Sequence, residues 1–273
     1  IININLKNKI KYPIIIILFI GLFWFIWAYN IKPFQINTEI NKSLLETRGG
    51  QSERALRRME NIFPSDTFLN DYLRANYIEV INVYVLREPT KAIELIPRGI
   101  KIMESTVKIR PNYTRYWIML GNYHNILLEN YQIAYPKLVE KWKNEADNAF
   151  GKALELSPKR QEILINWSKT YFLIKDYQTA KEKIQKCLDS NPEYGACWWS
   201  LALINIKENN IKEAKNNIEI AQNKNYPIDN NEIRLLDLKR AYFSLKNYEQ
   251  YLEEICELNY KLVLATGKID YKL

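Results

Sequence analysis

The residues most often used in catalysis are scarce in this 273-residue sequence. His124 is its only histidine, and no nucleophile is arranged with it in a recognisable motif. Neither a Gly-rich phosphate-binding loop nor an H-E-x-x-H metal motif occurs. We therefore predict no catalytic residue, no metal site and no cofactor in this segment, and whether the segment is part of an enzyme stays open.

The three cysteines, Cys187, Cys197 and Cys256, form no C-x-x-C pair and lack the spacing of metal ligands. Structural burial is the favoured interpretation. A Cys187–Cys197 disulfide between neighbouring helices is the alternative if the chain lies outside the cytoplasm, although the odd number of cysteines argues against a disulfide framework.

The composition is that of a chain that can bury a core, since 47% of the residues are apolar and 13% are aromatic. The formal net charge is +8, but basic and acidic residues are interspersed, as they are on solvated helix faces. Nucleic-acid binding needs basic residues gathered in one stripe with aromatic residues between them. No such stripe is visible, so we predict no nucleic-acid partner.

The elements that would position functional side chains are helices, most clearly between Pro158 and Pro192, which lie 34 residues apart. The polar pair Lys175-Asp176 separates two apolar patterns with helical spacing. Pro192 stops the second pattern, because proline lacks an amide hydrogen and disfavours helix just before it. The stretch therefore predicts a pair of helices, whose core-facing positions are Leu164, Trp167, Ser168 and Tyr171, then Ala180, Ile184 and Cys187.

The same pattern recurs on both sides, with W-x-x-L-G at Trp117 to Gly121 and small residues where two helices would cross, such as Ser168 and Ala180. A period of about 34 residues carrying two helices resembles the tetratricopeptide repeat (TPR) family. The resemblance implies an all-α fold, a TPR-type helical-hairpin solenoid preceded by one transmembrane helix. The predicted solenoid covers residues 36–273, in units at 36–64, 66–111, 114–158, 161–192, 195–227 and 232–259.

The third unit is longer than the others. Pro111 and Pro158 lie 47 residues apart, which exceeds the period by 13 residues. The additional residues lie near Leu127 to Lys143, so we expect longer helices or an added loop there.

An apolar segment precedes the repeats, with no charged residue from Tyr12 to Ile31. A helix needs about 20 apolar residues to cross a bilayer. We therefore predict a transmembrane helix at residues 12–30, surrounded by membrane lipid, after a juxtamembrane segment at residues 1–11.

A cleaved signal peptide and a buried core helix are the alternatives for this segment. Signal cleavage needs small residues, and Ile26 and Trp27 before Ala28 are poor candidates. Four consecutive isoleucines and apolarity on all sides suit lipid better than one face of a solenoid. The positive-inside rule places the repeats outside the cytoplasm, because three lysines precede the segment: Lys7, Lys9 and Lys11.

The resemblance also implies a concave groove lined by the first helices of the stacked units. We predict that it binds a protein or peptide partner, with Phe172, Trp199 and Leu203 as an apolar patch that holds an anchor residue. Packing of Trp199 against a neighbouring helix is an equal alternative. The predicted groove residues are Arg115, Asn122, Lys169, Phe172, Trp199 and Leu203, and Asn125 and Lys207 occupy further groove positions.

Two functions are compatible with these observations. The first is a bacterial, membrane-anchored TPR scaffold for protein–protein interaction, non-catalytic in this segment. The alternative is the C-terminal part of a glycosyl-transfer membrane protein of the O-antigen ligase/polymerase family, with its active site upstream. A span that runs directly into repeats is similar to the tails of that family, and no methionine occurs before Met59, so the sequence is expected to be a fragment or a processed product.

Overall fold

A computed structural model of the chain describes residues 6–65, 67–229 and 231–267. Every regular element in these ranges is a helix, which confirms the predicted all-α class. Three predictions fall partly outside the described residues: residues 1–5 of the juxtamembrane segment, Asp66 at the start of the second unit, and residues 268–273 at the end of the solenoid.

The described part begins with a long continuous helical stretch. Helix α1 spans Leu6–Ile26, a π-helical segment spans Trp27–Ile31, and α2 spans Lys32–Arg48. The residues at both ends of the π-helical segment keep right-handed helical dihedral angles, so the backbone continues without a linker. The apolar segment therefore runs directly into the first helix pair.

Residues 1–112 form one compact unit. After α1 it contains two helix pairs, and the first helices of these pairs, α2 and α4, pack against each other. Fully buried Ile40, Met59, Ile81 and Met103 contribute to its core. The remaining elements are α3 (Ser52–Ile62), α4 (Asn70–Arg87), a 3-10 turn (Pro89–Lys91) and α5 (Ala92–Ile109).

Residues 113–273 form a second compact unit, whose described residues contain four helix pairs. The first helices of successive pairs contact one another, α6 with α8, α8 with α10 and α10 with α12. The pairs are α6 (Thr114–Tyr131) with α7 (Val139–Leu156), α8 (Gln161–Leu173) with α9 (Tyr177–Ser190), α10 (Gly195–Lys207) with α11 (Ile211–Asn223), and α12 (Glu232–Phe243) with α13 (Leu252–Thr266).

Tight turns join the two helices of the middle pairs. Lys175 and Asn209 adopt left-handed backbone conformations, with φ of 66° and 64°, between α8 and α9 and between α10 and α11. The Asp176 carboxylate then accepts a hydrogen bond of 3.1 Å from the Thr179 amide and caps α9. These are the polar residues that separate the two apolar patterns in the sequence.

The long third pair uses its additional residues in two ways. Helices α6 and α7 each have 18 residues, compared with 13 in α8 and 14 in α9. A 3-10 turn at Pro136–Leu138 also lies between α6 and α7. Both helices are therefore longer than in the pairs that follow, and the connection is longer than in the next two pairs.

Three of the described pairs cross at a small residue of the first helix. The Ser168 hydroxyl donates a hydrogen bond of 2.9 Å to the carbonyl oxygen of Ala180, twelve residues later. Ser43 makes the same bond, of 2.8 Å, to Ala55, also twelve residues later. In α6 the crossing residue is Gly121, and a Cβ there would meet the Phe150 ring at 2.6 Å. Repeated contacts of this kind, together with the helix pairs, show a TPR-type fold.

The favoured interpretation of the cysteines, structural burial, was incomplete. Cys187 and Cys197 are fully buried, as expected, but they are also bonded to each other, with their Cα atoms 6.3 Å apart. The bond connects α9 to α10. Cys256 is a free, exposed cysteine.

The Gly121 crossing gives a stability prediction. Gly121→Ala should lower the free energy of unfolding by about 1–2 kcal/mol, because overpacking against Phe150 costs roughly 1–3 kcal/mol and the better helix propensity of alanine offsets part of it. The matched control is Gly151→Ala on α7, where a Cβ would have its nearest contact at 3.9 Å, from Trp167. That variant should be as stable as the parent or up to about 1 kcal/mol more stable. Urea unfolding of both variants checks this, and equal effects would contradict a close crossing at Gly121.

Candidate binding groove

A cavity of about 380 Å³ lies in the second unit, between the first helices α8, α10 and α12. Glu129, near the end of α6, and Tyr226, after α11, complete its rim. We call this cavity the groove. Its volume is in the range of sites that hold a small molecule or the side chains of a peptide.

The walls of the groove are mainly apolar because α8 and α10 have few charged residues in their middle turns. Phe172 and Leu203 are half-buried and retain surface towards the groove. Trp199 is only 5% exposed and lies beside Tyr226, with ring centroids 6.2 Å apart. The apolar lining residues are Ile165, Phe172, Leu173, Ala196, Trp199, Leu203, Ile204 and Ala241.

Two ion pairs stand at the rim of the groove. Lys169 on α8 lies 2.8 Å from the carboxylate of Glu129, and Arg240 on α12 lies 3.8 Å from that of Asp237. Burial raises the pKa of Asp237 above its ordinary value, while the positive charges of Lys169 and Arg240 act in the opposite direction. These four charges largely compensate one another.

Lys207, at the end of α10, is the remaining cation of the lining. Its ammonium donates a hydrogen bond to the Ser244 hydroxyl and lies 5.8 Å from the centroid of the Phe172 ring. Burial lowers the pKa of Lys207, and the positive charge of Lys175 adds to this effect. Among the residues that the structure describes, no carboxylate forms an ion pair with Lys207. The groove thus has an uncompensated positive charge at one end.

Four of the six residues predicted for the groove line this cavity, and two do not. The four are Lys169, Phe172, Trp199 and Leu203. Arg115 and Asn122 lie earlier on α6 than Glu129 and are absent from the lining.

Asn125 explains why the cavity does not extend further along α6. Its side chain is buried, donates a hydrogen bond of 2.9 Å to the carbonyl of Asn166 and accepts one of 2.7 Å from the Thr170 hydroxyl. These bonds join α6 directly to α8 at the place where the resemblance implied an open groove position. The groove begins beyond this contact, at Glu129.

Sequence reasoning missed the contribution of α12, which supplies Asp237, Arg240 and Ala241. The helix was recognised from its apolar spacing, but its residues were not considered for the groove. Applying the same repeat positions to α12 would have identified Arg240.

His124 has no place in this groove. Its side chain is buried, and burial lowers its pKa to about 4, with a smaller effect from Lys141. The imidazole is therefore neutral at neutral pH and lies in the packed interior. In the described part of the chain, no three His, Cys, Asp or Glu residues are grouped as a metal site.

A second feature lies near the N-terminus, in the first unit. The helical stretch Pro13–Arg48 is long and apolar enough to cross a membrane, and none of its most apolar window is buried. Length and composition of this kind fit either a membrane span or a signal sequence.

Comparisons with known proteins give similarity at the level of structure alone. No family model and no curated protein sequence matches the chain. A solved structure described as "MamA 41-end from Desulfovibrio magneticus RS-1" is 15% identical over 70% of this chain and 94% of its own, with a TM-score of 0.48. TTC0263, a thermophilic TPR protein of Thermus thermophilus, is 12% identical over 85% of this chain and 100% of its own, also with a TM-score of 0.48. Scores and identities this low carry no argument about function.

Proposed function

We propose that this chain is a membrane-anchored scaffold whose groove binds a peptide segment of a partner protein. A TPR-type fold by itself suggests protein–protein interaction. The observation that carries the more specific proposal is the cavity between α8, α10 and α12, which is open to solvent, apolar in its walls and charged at its rim. No catalytic step is assigned to any residue of the groove.

The apolar walls favour a peptide with a large apolar anchor residue. Phe172 and Leu203 face the groove from two adjacent helices, and buried Trp199 lines the same cavity. Full burial of a leucine or phenylalanine side chain stabilises a complex by roughly 1.5–3 kcal/mol. That is enough to account for about a tenfold or greater effect on affinity, since 1.4 kcal/mol is a factor of ten.

The charges favour a peptide that also carries an acidic group. Lys169 and Arg240 already have carboxylates beside them, whereas Lys207 contacts a hydroxyl and an aromatic ring. A half-buried ammonium gains from a carboxylate more than an exposed one does, because screening by water is weaker there. An aspartate or glutamate a few residues from the anchor would complete the charge balance at this end of the groove.

Membrane anchoring is proposed from α1 and its exposed apolar surface. The helix has no acidic residue in its first turn and no basic residue in its last turn, and it buries none of its apolar window against the protein. Trp24 and Tyr29, near its far end, are in edge contact at 6.2 Å, and aromatic residues favour the interface between lipid and water. A span that anchors the chain accounts for this surface better than a solvated helix does.

The disulfide supports placement of the repeats outside the cytoplasm. Disulfides such as Cys187–Cys197 persist in oxidising compartments and are rare in the cytosol. The three lysines in the first turns of α1, before its apolar segment, favour the same orientation by the positive-inside rule. The two observations are independent, since one lies in the second unit and the other precedes the span.

Membership of the O-antigen ligase/polymerase family stays a prediction. The continuous helical passage from α1 into α2 is the observation that favours it. Further apolar spans encoded upstream of Ile1 would support it, and a start codon a few residues upstream would contradict it.

The groove can be tested with a display library of random 12-residue peptides, selected on the full chain in lipid nanodiscs. We expect selected peptides to combine a Leu, Phe or Trp anchor with a nearby Asp or Glu. Leu203→Asp should weaken their binding about tenfold or more, because the anchor loses apolar contact and meets a negative charge. The matched control is Ile133→Asp, at a side chain that is 94% exposed and outside the groove. Equal binding to the two variants would show that the peptides bind elsewhere.

The side of the membrane can be tested through the free thiol of Cys256. A membrane-impermeant maleimide should label the chain in right-side-out membrane vesicles and leave it unlabelled in sealed inside-out vesicles, because Cys256 is exposed and would face the outside. Cys256→Ser should remove the labelling until a reductant opens the disulfide. Labelling only in inside-out vesicles would place the repeats in the cytoplasm.

A further inference from the structure

Beyond the apolar segment, the first unit exposes three aromatic side chains around one cleft. Phe34 is 71% exposed, Phe68 is 60% exposed and Tyr72 is 42% exposed. We call these three residues the aromatic rim. They line a cleft of about 770 Å³ together with Tyr29, Asn30, Ile31, Pro33, Asn37 and Leu69.

The lining of the cleft shows where the aromatic rim lies along the helical stretch. Phe34 follows Ile31 by three residues, or about 4.5 Å of helix. Phe68 and Tyr72 flank the start of α4, and they line the same cleft as Tyr29 and Ile31. The N-terminal end of α4 therefore lies beside the point where the apolar helix ends.

These aromatic residues are not members of the core of the unit. Phe63 and Tyr77, on the neighbouring turns, are in edge contact at 5.3 Å, and Tyr77 is buried. The unit can thus pack aromatic side chains when they face inward. Exposed aromatic residues collected at one end of a unit, instead of scattered over it, indicate contact with another phase or molecule.

Basic residues accompany the aromatic rim. Arg110, which follows α5, lies 3.4 Å from the carboxylate of Asp71, so the basic end of α5 stands next to Tyr72. The Arg110 side chain is 58% exposed, and Lys108 is exposed in the same turn. Aromatic and basic side chains together are typical of the interfacial region of membranes, where rings sit at the headgroup level and cations approach anionic lipids.

We propose that the aromatic rim is a second membrane contact, which inserts into the headgroup region of the same bilayer that α1 crosses. The proposal rests on α1 being a membrane span, as put forward above. The occupant of the cleft is then lipid. We choose lipid over a protein partner because the cleft is continuous with the end of the apolar helix. With contacts at α1 and at the start of α4, the first unit is held at a fixed tilt to the membrane and cannot pivot about a single helix.

The test uses nitroxide labels on the full chain in nanodiscs of phosphatidylcholine and phosphatidylglycerol. In a Cys256→Ser background, one label is placed by Phe68→Cys and a matched label by Leu86→Cys. Leu86 is 80% exposed and lies near the opposite end of α4, about 21 Å from Tyr72 along the helix axis. Collision with oxygen reports lipid exposure, and collision with a nickel chelate reports water exposure. We expect the oxygen-to-nickel ratio to be several-fold higher at position 68 than at position 86.

A third label, from Phe19→Cys on α1, separates this proposal from the proposed anchoring. A high ratio at position 19 with equal, low ratios at positions 68 and 86 would overturn the rim contact and leave the span intact. Low ratios at all three positions would overturn the span and the rim contact together. Adding Phe34→Ser and Tyr72→Ser to the position 68 variant should lower its ratio towards that of position 86, and an unchanged ratio would show that the aromatic rim is not what holds this end at the membrane.

Discussion

Three of the helix pairs depend on a close crossing that a small side chain permits. Ser43 and Ser168 bond to carbonyl oxygens of the partner helix, and at Gly121 even a methyl group would collide with Phe150. Because the helices approach this closely, their side chains interlock and fix the crossing angle. A pair then behaves as one rigid element. When the pair is repeated along the chain, the first helices of successive pairs stack on one another in chain order.

The stacking of first helices creates both candidate surfaces of the chain. In the second unit, Asn125 closes the contact between α6 and α8. The side chains of α8, α10 and α12 do not fill the space between these helices, and this space is the groove. In the first unit, α2 and α4 leave a cleft at the end of the apolar helix. We propose a peptide for the groove, where Lys207 offers a charge to an acidic residue, and lipid for the cleft, where the aromatic rim offers rings to the headgroup region.

Local features of the sequence predicted the fold well, because they act within a pair. The 34-residue period, the small residues at the crossings and the polar turn pair Lys175-Asp176 all concern helices that are neighbours in the chain. The groove was predicted less completely, because its lining depends on contacts between pairs. To predict the closing contact at Asn125 and the contribution of Asp237 and Arg240, one needs the positions of α6, α8 and α12 in three dimensions. Predicting the disulfide likewise requires the distance between α9 and α10, which belong to different pairs.

The most direct test of the proposed function is an experimental structure of the full chain bound to a peptide selected on it. The predicted result is an apolar peptide side chain in contact with Phe172 and Leu203, and a peptide carboxylate within hydrogen-bonding distance of the Lys207 ammonium. The groove would then be the recognition site of a scaffold. A peptide bound on the outer faces of the second helices, or a groove that stays empty at saturating peptide, would contradict the account.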